Sequence, residues 1–161
     1  MSTLLNARFE LGENQCFQGE YSWRLKDGEL RYRGTGHYQG LIDGRISASE
    51  RQVQRFAAVL DLLTVWEWRR DYEPEDVGHT VLDGGIWWFN AELNGRSVRA
   101  AGNNAYPTYE DPKLTTTDEE RFALLRKGLY DAFSIEAYIV AAQRQAEYRQ
   151  QVERDRAKTA E

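Results

Sequence analysis

Two histidines and one cysteine are the side chains of this chain best suited to acid–base, nucleophilic or metal chemistry. His37 and His79 each precede an aspartate, Asp43 and Asp83, so a His-Asp pair or part of a metal site is conceivable. Neither histidine belongs to a HExxH sequence, and Cys16 is distant from both along the chain. We therefore predict no catalytic residues, no cofactor and no metal site. A hydrolase that uses His79 is the third of three functional hypotheses.

A glycine-rich segment at 34–40 has the composition of a loop that surrounds a phosphate group. Its glycine spacing does not match GxGxxG, and the surrounding pattern does not predict a parallel sheet. We therefore predict no nucleotide site there. Cys16, next to Phe17, is predicted to be a small buried apolar group and not a nucleophile.

Small and polar residues also flank a tryptophan-rich strand. The sequence Asp-Gly-Gly at 83–85 precedes this strand, and Gly-Asn-Asn-Ala-Tyr-Pro at 102–107 follows the strand that returns from it. Amide and phenol groups at these positions could bind a small molecule or a carbohydrate. The residues of this alternative ligand pocket are Trp87, Asn103, Asn104 and Tyr106. The same residues are also typical of turns, because glycine permits positive φ and asparagine side chains bond to nearby backbone.

Carboxylates dominate two other segments. Residues 71–83 contain Asp71, Glu73, Glu75, Asp76 and Asp83 without a lysine or arginine, and a second acidic cluster lies at 110–120. Such charges are solvated by default, but together with nearby aromatic side chains they could attract and anchor a basic protein. If these segments bind a partner, the predicted partner-binding residues are Glu73, Glu75, Asp76, Trp88, Tyr109, Glu110 and Asp111.

Hydrophobic periodicity predicts the elements that position these residues. Residues 21–33 alternate around an Asp-Gly turn at 27–28, which predicts a hairpin in which Leu25 faces Leu30 and Trp23 faces Tyr32. Residues 86–101 alternate around an Asn-Gly turn at 94–95 and predict a second hairpin. Trp88 lies on its polar face and is expected to be exposed. The predicted core face consists of Trp87, Phe89, Ala91, Leu93, Val98 and Ala100.

Three helical segments are predicted. Ser47 with Glu50 has the form of a capping box, which predicts a helix over 48–63. Pro74 predicts that the start of the acidic segment is not helical. Thr117 with Glu120 predicts a second helix, and the apolar positions from 135 to 142 predict a third. The two apolar stripes are Val53, Phe56, Ala57, Leu60 and Leu63, and Phe122, Leu125, Leu129 and Phe133.

The predicted architecture is α+β, an antiparallel sheet built from two hairpins and covered by two or three helices. We expect one domain at 1–142 and a polar helical tail at 143–161 that projects or frays.

Two kindred patterns of small bacterial proteins of unknown function resemble this chain from Cys16 to about Phe133. The first half shares a cysteine, an aromatic strand, an Asp-Gly turn and a Tyr-x-Gly ending at 32–34. The second half shares Asp-Gly-x-x-Trp at 83–87 and Gly-x-Asn-Ala-Tyr-Pro at 102–107. The resemblance implies no established activity. Some small acidic proteins of this appearance are thought to be immunity proteins that accompany bacterial toxins.

Composition limits the classes of function. A chain of 161 residues with a net charge of -5 and 41% hydrophobic residues predicts one soluble domain without general affinity for nucleic acid. A single cysteine excludes an internal disulfide, and no apolar run approaches the roughly 20 residues of a membrane span, so we expect a cytoplasmic protein.

The predicted function is that of a protein-binding inhibitor, an immunity protein that occludes the basic active-site cleft of a cognate toxin. The alternative is a small-molecule or carbohydrate-binding module.

Overall fold

The computed structural model describes residues 6–15, 19–35, 44–78, 80, 84–108, 114–115 and 120–159. Several residues that the sequence analysis singled out lie outside these ranges, namely Cys16, His37, Asp43, His79, Asp83, Tyr109, Glu110, Asp111 and Thr117.

A seven-stranded sheet forms one layer of the molecule. Its strands are β1 (Arg8–Gln15), β2 (Gly19–Lys26), β3 (Glu29–Gly34), β4 (Arg45–Ser47), β5 (Asp71–Tyr72), β6 (Gly85–Leu93) and β7 (Arg96–Asn103). The strand order is β4-β3-β2-β1-β6-β7-β5, and the pairing is antiparallel except for β5 with β7. Two short strands, β8 (Tyr106–Pro107) and β9 (Leu114–Thr115), pair separately. The predicted α+β class with a mostly antiparallel sheet is confirmed.

Both predicted hairpins form in the predicted registers. Leu25 lies opposite Leu30 and Trp23 opposite Tyr32 in the pairing of β2 with β3. The first turn has φ of 52° at Asp27, and the second has φ of 53° at Asn94. A two-residue turn with positive φ matches the right-handed twist of the strands that it joins. The predicted core face of the second hairpin is buried throughout.

The hairpins are not neighbours, because β1 lies between them. It pairs with β2 on one side and with β6 on the other. The hydrophobic pattern did not predict this central strand. Its inward positions are Phe9, Leu11 and Glu13, and a carboxylate at the third position conceals the alternation of apolar residues that marks a strand.

The first helix, α1 (Glu50–Leu62), begins two residues later than predicted. Its capping box is formed by Ser49 and Gln52: the Ser49 backbone N–H donates to Gln52 Oε1 at 2.9 Å, and the Gln52 backbone N–H donates to Ser49 Oγ at 3.3 Å. The prediction of Ser47 as the cap was wrong, because Ser47 ends β4 and pairs with Glu29. The predicted apolar stripe is buried.

Two further helices, α2 (Arg121–Phe133) and α3 (Ile135–Thr159), are separated by Ser134, which has φ of 54°. The predicted stripe of α2 is buried. Ile135 at the start of α3 is also buried, whereas most side chains of 143–158 are exposed. The helix continues through the segment that was expected to be a polar helical tail.

The helices cover one face of the sheet. Phe56 of α1 lies 4.8 Å from Phe9 of β1 between ring centroids, and Phe133 of α2 lies 6.1 Å from Phe56. Trp87 of β6 lies 4.7 Å from Phe122 of α2. The other face of the sheet carries mostly polar and charged side chains, with Ile86 and Trp88 of β6 among them. Across the described ranges, the helices all lack the length and apolar character needed to cross a membrane.

Candidate functional site

The Gly-Asn-Asn-Ala-Tyr-Pro segment lies at the open end of the β6–β7 hairpin, opposite the Asn-Gly turn at 94–95, where it forms a corner with Gly85. Asn104 has φ of 50°, its backbone N–H donates to the Gly85 carbonyl at 2.9 Å, and its Oδ1 accepts from the Gly85 N–H at 2.7 Å. Its Nδ2 donates to Asn103 Oδ1 at 3.2 Å. One asparagine therefore satisfies both backbone groups of Gly85 and fixes the corner.

The glycines of this segment make room for close contacts. A Cβ at Gly102 would lie 2.2 Å from the Ala105 carbonyl oxygen and 2.4 Å from Trp87 Nε1. That indole N–H donates to the same carbonyl at 2.8 Å. A Cβ at Gly84 would lie 1.6 Å from Asn104 Oδ1. The polar groups of this corner therefore have internal partners.

The exposure and hydrogen bonds of the four residues of the alternative ligand pocket show which of them are accessible to a ligand. Trp87 is 0% exposed, and Tyr106 is 8% exposed and stacks against it with ring centroids 6.0 Å apart. Asn103 is exposed, and Asn104 is half-buried with its amide engaged in the hydrogen bonds described above. The geometry gives Trp87, Asn104 and Tyr106 structural roles in the core and the corner.

The acidic segment begins with β5 and continues into a short 3-10 helix at Pro74–Val77. The expectation that Pro74 prevents helical structure here was wrong, because a proline is tolerated at the first helical position, where its missing N–H needs no partner. Glu73, Glu75 and Asp76 are all exposed. We call these three residues the acidic turn.

Contacts with the core hold the acidic turn. Asp76 Oδ2 lies 3.5 Å from Arg69 Nη1, and the Arg69 guanidinium stacks on the Tyr72 ring at 4.8 Å from its centroid. Tyr72 is 5% exposed, and its hydroxyl accepts a hydrogen bond from the Arg69 backbone N–H at 3.1 Å. Glu73 and Glu75 have no ion-pair partner among the described residues. Glu73 and Glu75 thus project from this edge of the sheet without an ion-pair partner in the described part of the chain.

Trp88 lies on the outer face of the sheet, as predicted, but it is half-buried and not exposed. Its indole ring covers Gly12 of β1, where a Cβ would lie 2.1 Å from the ring. Its N–H donates to Glu10 Oε1 at 3.3 Å. Ala101 of β7 separates Trp88 from Asp71 of β5, so Trp88 lies about 10 Å from the edge strand that leads into the acidic turn.

A buried polar cluster joins the sheet to α2. Glu13 is 2% exposed, accepts a short hydrogen bond from the Tyr21 hydroxyl, and accepts from Arg126 Nη1 at 3.0 and 3.1 Å. Burial raises the pKa of Tyr21 far above its usual value, and the nearby Glu13 carboxylate is the next largest cause of the rise in pKa. No sequence pattern predicted this cluster. Its only signal was a carboxylate at an inward position of an alternating segment.

The described residues include no group of three or more His, Cys, Asp or Glu side chains arranged to hold a metal ion. Comparison with known proteins gives no family model that matches the chain. No curated protein matches it significantly either.

Proposed function

We propose that this protein is a protein-binding inhibitor, an immunity protein that neutralises a cognate toxin by occluding a basic active-site cleft. The observation that carries the proposal is the acidic turn, in which Glu73 and Glu75 are exposed and have no ion-pair partner in the described part of the chain. Exposed, unpaired carboxylates attract a basic partner over several ångströms and speed its association.

The contacts that connect the acidic turn to the core support the same proposal. Arg69 and Tyr72 connect it to the aromatic core around Trp87, with Tyr72 and Trp87 centroids 5.6 Å apart. A surface that is already held in its bound geometry loses little conformational entropy when a partner binds. The resemblance to small acidic proteins that accompany toxins points in the same direction.

The proposed interface also includes residues outside the acidic turn. Trp88 would contribute from the outer face of the sheet. The sequence pattern adds Tyr109, Glu110 and Asp111, which lie outside the described residues. The carboxylates would compete with the nucleic-acid phosphates that a toxin with a basic cleft binds. The mechanism is steric and electrostatic, and it requires no chemistry from this chain.

A charge reversal tests the proposal. The tagged full-length protein and its Glu73→Lys/Glu75→Lys variant are expressed in the native host, and the proteins that each retains are identified by mass spectrometry. Asp76 is left unchanged because it pairs with Arg69. The matched control is Glu147→Lys/Glu153→Lys, which makes the same charge change at exposed positions of α3.

We expect the wild type and the control to retain the same basic protein and to inhibit its activity, and the acidic-turn variant to lose both properties. Retention and inhibition by the acidic-turn variant at wild-type levels would contradict the proposed interface. An acidic partner that all three proteins retain equally would contradict the proposed function.

A further inference from the structure

The outer face of the sheet carries a row of arginines on neighbouring strands. Arg45 of β4 lies directly opposite Arg31 of β3, and Arg31 lies directly opposite Arg24 of β2. Arg33 lies two positions further along β3 and therefore on the same face. All four side chains are exposed. We call Arg24, Arg31, Arg33 and Arg45 the arginine surface.

The stability of the sheet does not account for this row. Like charges directly opposite each other on adjacent strands destabilise a sheet. Glu10 Oε2 lies 3.5 Å from Arg24 Nε, and Glu29 accepts a short hydrogen bond from Arg31, so these two arginines are neutralised locally. Arg33 and Arg45 form no ion pair with any residue in the described ranges. Within the described residues, the charges of Arg33 and Arg45 repel each other and the neighbouring arginines, and a bound anion would relieve that repulsion.

The four guanidinium groups surround one concave site. A depression with a volume of about 320 Å³ contains all of them and a single carboxylate. It is lined by Glu10, Ser22, Arg24, Arg31, Tyr32, Arg33, Gly44 and Arg45. This volume falls at the lower end of the range of small-molecule sites, about 300–1,000 Å³. The site therefore combines the size of a small ligand with an excess of positive charge.

We propose that the arginine surface binds a small compound that carries two or more phosphate groups. All the cations of the depression are arginines, whose planar guanidinium groups donate paired hydrogen bonds to phosphate oxygens. Glu10 and Glu29 neutralise Arg24 and Arg31, so Arg33 and Arg45 supply the positive charge in excess. Two such charges favour a ligand with several negative charges over a single carboxylate. Nothing in this proposal depends on the acidic turn, because β5 and β4 form opposite edges of the sheet.

Single-stranded nucleic acid is the competing occupant, and the geometry disfavours it. Tyr32 is the aromatic residue among those that line the depression, but it is only 4% exposed and its ring lies on the inner face of the sheet, 4.8 Å from the Trp23 ring between centroids. It therefore offers no platform on which a base could stack. The chain as a whole has a net charge of -5, which repels a long polyanion more strongly than a compact one.

The test is a calorimetric titration of the full-length protein with inorganic pyrophosphate and with tripolyphosphate at moderate salt. Arg33→Gln and Arg45→Gln should each weaken binding about tenfold, the effect of one lost hydrogen bond to a charged group. The matched control is Arg99→Gln on β7, which makes the same charge change on the same face but outside the depression. Its affinity should stay within about twofold of the wild type, because isolated surface charges contribute little.

The melting temperature without ligand separates binding from folding. Arg45→Gln removes a like charge opposite Arg31, so the unliganded variant should melt at the wild-type temperature or higher. A clearly lower melting temperature would mean that Arg45 has a structural role, and it would overturn the proposal.

Two binding results would also overturn it. The first is equal affinity of the wild type and Arg45→Gln for both phosphate compounds. The second is tighter binding of a single-stranded oligothymidylate than of tripolyphosphate, with Arg99→Gln weakening that binding as much as Arg33→Gln does. The second result would assign the whole outer face to an extended polyanion.

Discussion

At the scale of single residues, the buried cluster of Glu13, Tyr21 and Arg126 is the clearest departure from an apolar core. Arg126 lies 113 positions from Glu13 along the chain, so no local pattern could have indicated the pair. The partnership satisfies a carboxylate that would otherwise be costly to bury. Its position between the sheet and α2 fixes how the two layers meet.

The raised pKa of Tyr21 predicts a loss of stability in alkali. Its phenol stays protonated in the folded protein but ionises above about pH 10 once the chain unfolds. The folded state then holds the extra proton, so the free energy of unfolding should fall above that pH by up to about 1.4 kcal/mol per pH unit. Below it the contribution of this group is fully present.

Urea unfolding of the wild type and of Tyr21→Phe between neutral and strongly alkaline pH checks this. The variant should be less stable near neutral pH by about 1–2 kcal/mol, because it lacks the hydrogen bond to Glu13. The two stability curves should converge as the pH rises. Parallel curves would show that Tyr21 does not titrate differently in the folded and unfolded protein.

At the scale of elements, local sequence predicts the features that local chemistry determines. The Asp-Gly and Asn-Gly turns set the registers of both hairpins, and the stripes of α1 and α2 follow from helical periodicity. The helix start was misplaced because two overlapping capping-box patterns, beginning at Ser47 and Ser49, satisfy the same rule. Ser47 pairs with Glu29 and therefore belongs to β4. Because this pairing is a contact between strands distant in sequence, the local pattern could not reveal it.

The residues of the candidate site show the same difference between features that local sequence determines and features that tertiary contacts determine. The sequence correctly placed Trp88 on the polar face of β6, but its partner Gly12 belongs to the unpredicted strand β1. A large aromatic side chain that covers a glycine on the neighbouring strand loses exposure. The exposure of Trp88 was therefore not predictable without knowing which strand lay beside it.

At the corner at the open end of the second hairpin, Gly85 should tolerate substitution by alanine and Gly102 should not. Gly102→Ala would place a methyl group 2.2 Å from the Ala105 carbonyl oxygen, and we expect a loss of about 2–3 kcal/mol in the free energy of unfolding. Gly85→Ala meets only ordinary contacts, the nearest at 3.4 Å, and should change stability by no more than about 1 kcal/mol. The free energies of unfolding of the two variants are compared by chemical denaturation. Equal effects would show that Gly102 is not retained for close packing.

At the scale of the whole molecule, the charges are separated across the sheet. The acidic turn follows β5 at one edge, and the arginine surface extends over β2, β3 and β4 at the other. The net charge of -5 conceals this division because it sums the two regions. Composition therefore predicted an acidic protein but could not predict its basic face.

Removal of residues 143–161 should leave the fold intact. Most side chains of 143–158 are exposed, whereas Ile135 is buried and Tyr138 and Ile139 pack against the core. A chain that ends at Ala142 should melt within about 2 °C of the full protein, a shift of no more than about 1 kcal/mol for this size. A chain that ends at Ser134 should melt clearly lower. An equal loss in both truncations would place the tail in the cooperative unit.

The rate of association with the captured toxin tests the central proposal most directly. At low salt, Glu73→Lys/Glu75→Lys should associate at least about tenfold more slowly than the wild type, and the difference should shrink as salt screens the charges. The Glu147→Lys/Glu153→Lys control should associate at close to the wild-type rate. Equal rates for the wild type and the acidic-turn variant at low salt would contradict the claim that the acidic turn attracts the partner.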